Sequence, residues 1–199
     1  MERTAYIIRA RGGAEALVPC AEELRSLAEK KQVENFSVWS IEDLLLCYGE
    51  DAAGGSGAVC EAIIEKTGGG VVAAPGSMRL MYHDIGIVRR DKSLIRHRVF
   101  CTKLKPGCEE EYKRRHDALI AARGDSISEG PDSNFTIWYG GGYIFGYCEK
   151  VKSFDHEPTE AEKAADIAWE TRQLEIMDWL TDDVDWITGQ KHETIRRLA

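Results

Sequence analysis

Short apolar runs alternate with stretches whose apolar positions fall near helical spacing, and the succession occurs twice along the chain. In the first half the run 5–10 precedes a helix-like stretch over 14–31, and in the second the run 98–104 precedes one over 108–122. A pair of adjacent apolar runs follows each. Asn35-Phe36-Ser37-Val38-Trp39 returns as Asn134-Phe135-Thr136-Ile137-Trp138, and Leu44-Leu45-Leu46-Cys47-Tyr48-Gly49-Glu50 returns at the same offset as Tyr143-Ile144-Phe145-Gly146-Tyr147-Cys148-Glu149. Two runs and the spacing between them are repeated together, which marks an internal duplication. Further on, helical spacing is predicted over 57–66, with Ala58, Ile63 and Ile64, and over 160–180, with Ile167, Leu174, Ile176 and Leu180. A strand is expected to close each half, at 79–88 and at 184–188.

Strand, helix, strand, strand, helix, strand is the order of the split βαβ, or ferredoxin-like, unit. The expected fold class is therefore α+β, with two tandem ferredoxin-like (βαββαβ) units over 1–93 and 94–199, divided near 90–96 where charged residues interrupt the apolar pattern. Such a unit covers one face of its sheet with helices and leaves the other bare. Two bare faces are expected to bury each other, giving a dimeric α+β barrel within one chain. The glycine-rich stretches 54–57, 68–70 and 140–142 fall between elements and read as turns.

Charge narrows the choice of partner. A formal net charge of −8 argues against nucleic acid or an anionic membrane and for a small neutral molecule. No apolar run approaches the roughly 18 residues of a membrane span, and the first residues lack the apolar core of a signal peptide, so a cytoplasmic protein is expected. The six cysteines form no CxxC pair and read as reduced thiols, several buried in strands, without a zinc cluster.

The stretch Lys105-Pro106-Gly107-Cys108-Glu109-Glu110-Glu111-Tyr112-Lys113-Arg114-Arg115-His116 carries the candidate chemistry. Pro and Gly end a strand, and three Glu occupy the first helical turn, where the helix dipole favours negative charge. Each Glu has a basic residue four positions on, which predicts ion pairs on the outer face. Tyr112 and His116 are also four apart and share a stripe with Leu119, Ile120 and Arg123, which turns them toward the sheet. Two readings stand: a core pair with satisfied hydrogen bonds, or a proton-transfer pair, since imidazole titrates near neutrality.

Phe100, Leu104-Lys105-Pro106-Gly107, Glu110-Glu111-Tyr112-Lys113-Arg114-Arg115-His116 and the strand Asn134-Phe135-Thr136-Ile137-Trp138 together resemble the L-rhamnose mutarotases. Members of that family are short single units that pair as dimers in a ferredoxin-like α+β barrel. The resemblance implies that Tyr112 and His116 line a sugar pocket as the catalytic pair. It also implies that Trp169 stacks on the sugar, with Asn134 and Trp138 as further substrate contacts, although packing is the commoner role for a strand tryptophan. The family's His-Asn-Pro is replaced by His116-Asp117-Ala118, and its adjacent tryptophans by Trp169 and Trp179, both placed on the helix predicted over 160–180. In the first half, aligning Gly13 with Gly107 puts Val18 and Glu22 where the pair stands, so that copy has lost it.

The implied reaction interconverts the α and β anomers of L-rhamnose or a similar deoxyhexose by acid/base ring opening and closure, and needs neither cofactor nor metal. The partner is a monosaccharide; whether fused chains form a homo-oligomer is left open. A non-catalytic sugar-binding or regulatory protein on the same fold is the alternative, and a cofactor-free oxygenase rests on fold analogy alone. The glycine triplets are not nucleotide-binding motifs. Asp178, Asp182, Asp183 and Asp185 lack the pattern of a calcium loop, and His83, His97, His156 and His192 lack metal-ligand spacing.

Overall fold

The computed structural model describes residues 2–52, 54–127, 129–153, 159–181 and 195–199. In chain order the elements are β1 (Glu2–Arg9), a 3₁₀ segment (Ala14–Cys20), α1 (Ala21–Lys30), β2 (Glu34–Ile41), β3 (Leu44–Asp51), α2 (Gly55–Thr67), β4 (Gly70–Ala73) and β5 (Arg79–Asp84). A short 3₁₀ turn (Lys92–Leu94), β6 (Ile95–Leu104), α3 (Glu109–Arg123), β7 (Asp132–Gly140), β8 (Tyr143–Val151), α4 (Glu160–Gln173), β9 (Met177–Thr181) and β10 (Arg196–Arg197) follow. The chain divides into two compact units. One holds the described residues up to Arg79 together with 195–199, and the other begins at Leu80.

Each unit is ferredoxin-like. The first sheet runs β4-β1-β3-β2 and the second β9-β6-β8-β7, so in both the fourth strand lies beside the first and the third beside the second. A fifth strand extends each sheet next to its second strand: β10 beside β2, and β5 beside β7. The sequence copies and the compact units are thus cut differently, because 79–84 belongs to the second sheet and the C-terminal residues to the first.

Three expectations change. The strand expected at 79–88 is β5 and does not close the first unit; β4 does, in a stretch that begins in a glycine-rich turn. The helix expected over 14–31 is broken, with Pro19 inside a 3₁₀ segment, where its ring removes a backbone donor. The helix expected over 160–180 stops at Gln173, so Ile176, Trp179 and Leu180 are not on it. Lys105 fixes that turn: its Nζ donates to the Leu174 carbonyl at 2.8 Å and its amide to the Ile176 carbonyl at 2.9 Å. The closing strand expected at 184–188 lies outside the described residues, as do His156, His192, Asp182, Asp183 and Asp185.

The repeated Asn-Phe-x-x-Trp segment has a backbone reason. Asn35 and Asn134 sit at φ of 51° and 50°, each where the pairing of its strand shifts register. That left-handed conformation suits Asn better than most residues. Asn35 Nδ2 donates to Glu50 Oε1 at 2.9 Å, and Asn134 Nδ2 to Glu149 Oε1 at 3.0 Å. The hydroxyls of Tyr48 and Tyr147 donate to the same oxygens, each at 3.0 Å. The duplication therefore preserves a bulge and the hydrogen bonds that hold it.

In the first unit Tyr6, Ile8, Leu17, Leu24, Val59 and Ile63 pack as an apolar core. Val18 and Glu22 face solvent. Because a 3₁₀ segment turns every three residues and not every 3.6, counting through it from Gly13 misplaces the inward positions, which are Leu17 and Leu24. No helix among the described residues is long and apolar enough to cross a membrane.

Candidate active site

α3 starts where Pro106 and Gly107 end β6, with Glu109, Glu110 and Glu111 in its first turn. Only part of the predicted charge pairing is outward. Glu111 accepts from Arg114 at 2.6 Å and from Arg115 at 2.7 Å, while Lys113 pairs with Asp117 and Glu109 accepts from the Tyr139 hydroxyl at 2.8 Å. Arg115 is buried. It reaches under α4 to the Arg172 carbonyl and to the Glu175 carboxylate at 2.9 Å, so the two helices are braced together at one end.

Tyr112 and His116 stand on the inner face of α3, both nearly fully buried. Their rings stack, with centroids 4.2 Å apart and an interplanar angle of 25°. Trp169 from α4 meets the imidazole edge-on at 5.4 Å, and Tyr82 from β5 does so at 5.5 Å. His116 Nδ1 lies 2.9 Å from the Tyr112 carbonyl. A carbonyl only accepts, so Nδ1 carries the proton and Nε2 keeps the lone pair. Burial holds the imidazole down at about 4, with Lys113 and Arg115 adding to the effect, and it is neutral at ordinary pH. Burial also pushes the Tyr112 phenol well above its usual value, with the Glu170 carboxylate adding to the effect.

These rings open on a cavity of about 200 Å³ within the second unit. One wall is apolar, formed by Phe100, Phe135, Ile137, Met177 and Trp179. The facing wall is polar, formed by Asp166, Glu170 and Gln173 on α4, while Arg98 of β6 lines the sheet side beside Phe100, its guanidinium 6.0 Å from the ring centre. Gly146 makes the apolar wall possible: it pairs with Phe100 across the strands, and a Cβ there would fall 2.0 Å from the Phe100 ring.

Of the five residues singled out by sequence, the structure brings Tyr112, His116 and Trp169 together around this cavity. Asn134 and Trp138 do not line it. Side chains alternate along a strand, so Phe135 and Ile137 of β7 reach the cavity while Trp138 points the other way, and Asn134 is engaged with Glu149. Sequence reasoning missed Asp166, Glu170 and Gln173, although their spacing around Trp169 (i−3, i+1, i+4) marks one helical stripe. Tyr82 carried no local signal. It reaches the site because β5 joins a sheet built from the other sequence copy, where Arg123 holds it by pairing with Asp84 at 2.9 Å.

The family model for L-rhamnose mutarotase matches residues 97–197, a little over half of the chain. None of the curated proteins matches. Among solved structures, the crystal structure of an anthrone oxidase-like protein is similar at a TM-score of 0.47 and 12% identity, over 98% of this chain and 88% of that one.

Proposed function

We propose that this chain, which belongs to the L-rhamnose mutarotase family, is a sugar mutarotase that interconverts the α and β anomers of L-rhamnose or a similar deoxyhexose. The observation that carries the reading is the His116 tautomer: Nδ1 is committed to the Tyr112 carbonyl, and the ring lines a cavity of monosaccharide size with Nε2 as a base. Nε2 takes the proton from the anomeric hydroxyl, the bond between the anomeric carbon and the ring oxygen breaks, and the carbonyl forms. The ring oxygen takes up the electron pair and a proton. Burial disfavours the imidazolium, so it gives its proton to that oxygen readily. After rotation about the bond to the carbonyl carbon, the same steps in reverse close the other anomer.

Tyr112 keeps its phenolic proton, donates a hydrogen bond to a sugar oxygen and holds the imidazole plane by stacking. Trp169 supplies an aromatic face to the ring carbons. The first sequence copy, 1–93, acts as the companion of the catalytic copy, 94–199, without a catalytic pair of its own. Saturation-transfer NMR on equilibrated rhamnose anomers, with fucose, mannose and lyxose alongside, reads exchange directly. No acceleration over buffer with any of them would refute the reading and favour a sugar-binding module.

A further inference from the structure

The last turn of α4 sets a polar side chain in the cavity wall with nothing among the described residues to satisfy it. Gln173 is 2% exposed and lines the cavity, and neither its amide nitrogen nor its amide oxygen has a hydrogen-bond partner among the described residues. A buried polar group left unpaired costs about 1–3 kcal/mol, so the position is better served by an apolar residue unless something else completes the amide. The side chain is not held there by its own polar atoms. The helix end is: the Gln173 carbonyl accepts from the Ile176 amide at 2.9 Å, and Arg115 and Lys105 clamp the carbonyls of Arg172 and Leu174 on either side. Trp169 lies one turn back on the same stripe, with its ring against His116.

We propose that Gln173 is a specificity residue that reads two neighbouring hydroxyls of the sugar, its N–H donating to one oxygen and its carbonyl accepting from the other hydroxyl. This rests on the reading of the cavity as a monosaccharide site. A primary amide offers one donor side and one acceptor side in a fixed plane, and vicinal hydroxyls of a pyranose offer the matching acceptor and donor. The carboxylates of Asp166 and Glu170 on the same wall, when ionised, only accept, so Gln173 is the group on α4 able to fix the direction of a hydroxyl pair.

The test uses the full chain with Gln173→Met, which is unbranched and of similar length, and Gln173→Leu as the second variant. KM for rhamnose exchange is expected to rise roughly five- to tenfold, with kcat falling less, as for loss of a neutral hydrogen bond or two. The sugar-free melting temperature is expected to rise, because an unpaired amide is removed. With 2-deoxy-, 3-deoxy- and 4-deoxyrhamnose, the gap between wild type and variant is expected to close on the analogue that lacks the hydroxyl being read. A lowered sugar-free melting temperature, or failure of both variants to fold, would mean that the amide serves the fold, and the proposal is overturned. Wild type that exchanges rhamnose, with KM unchanged in the variants, sinks this inference and leaves the mutarotase reading standing. Wild type that accelerates no sugar's exchange removes both.

Discussion

Counted back from the ends of their second helices, Cys60, Ile63, Ile64 and Thr67 of the first unit stand where Asp166, Trp169, Glu170 and Gln173 stand in the second. Thr67 is buried like Gln173, but its hydroxyl is satisfied at once by the Ile63 carbonyl at 2.8 Å. The strands differ in the same sense. Tyr6 pairs across from Cys47 in the first unit, and Phe100 from Gly146 in the second, where the missing side chain gives the ring its place. Strand order and the Asn–Glu–Tyr bulge network are common to both, so they belong to the fold. What separates an apolar core from a site is a short set of inward positions on two helices and one strand pair.

The sharpest test of that contrast lies on the first helices. His116→Ala is expected to slow anomer exchange by a factor of about 10² to 10⁴, the usual contribution of a positioned acid or base, and Tyr112→Phe by a smaller factor. Glu22→Ala, on the exposed face of α1, is expected to leave exchange unaltered. Melts on the same preparations separate chemistry from folding. If His116→Ala exchanges normally below its own transition, the pair is a core pair and the two units differ only in packing.

The same histidine sets a pH dependence that the first unit, with no histidine in its sequence up to Arg79, cannot share. Its folded pKa, about 4, lies below the ordinary value of about 6.5. Exchange, corrected for the uncatalysed rate, is therefore expected to stay level from neutral pH to about 5 and to fall as pH approaches about 4, where the base becomes protonated. Stability has a wider window. Between about 6.5 and 4 the unfolded chain takes up a proton that the folded site refuses, so stability falls with acid there, by an amount on the order of 3 kcal/mol. Urea melts of wild type and His116→Ala across that range should converge toward the acid end. A parallel course would mean that the imidazole titrates normally.

How far the sequence carried these conclusions depends on the range of the interaction. The duplication, the ferredoxin-like order and the Tyr112/His116 stripe are local patterns, and periodicity exposes local patterns. The end of α4 is not local: Lys105, 69 residues before Leu174, donates to the Leu174 carbonyl from its side chain and to the Ile176 carbonyl from its backbone amide. Nor is the exchange of edge strands that gives β5, and with it Tyr82, to the second sheet. Asn134 drew notice because it is repeated. The expected substrate contact gives way to a backbone role, which only the φ of the residue and its bond to Glu149 reveal.

Gly146→Ala tests the strand half of the contrast. A Cβ in the Phe100 ring forces the ring or the strand to move, and overpacking of this kind costs about 1–3 kcal/mol. Because Phe100 is part of the cavity wall, exchange should decline together with stability. An alanine variant with wild-type stability and exchange would show that the glycine is incidental and that the helices alone distinguish the units.

The smallest expected effect concerns what the units have in common. Asn35→Ala and Asn134→Ala each force a non-Gly, non-Asn residue to hold a φ near +50° and each remove a donor from a glutamate. The backbone part should be alike in both, roughly 1 kcal/mol. The electrostatic part should differ. Glu149 is completely buried and paired with Lys92 at 2.7 Å, whereas Glu50 is only half-buried, so water can replace the lost donor at Glu50 but not at Glu149. Asn134→Ala is therefore expected to lower stability by about 2–3 kcal/mol and Asn35→Ala by about 1. Glycine at the same positions relieves the backbone cost and leaves the electrostatic one, so Asn35→Gly should lie near wild type and Asn134→Gly should not. Urea midpoints at constant m-value read all four variants. Equal losses at the two sites would mean that the bulge conformation, and not the buried carboxylate, is what the duplication has kept.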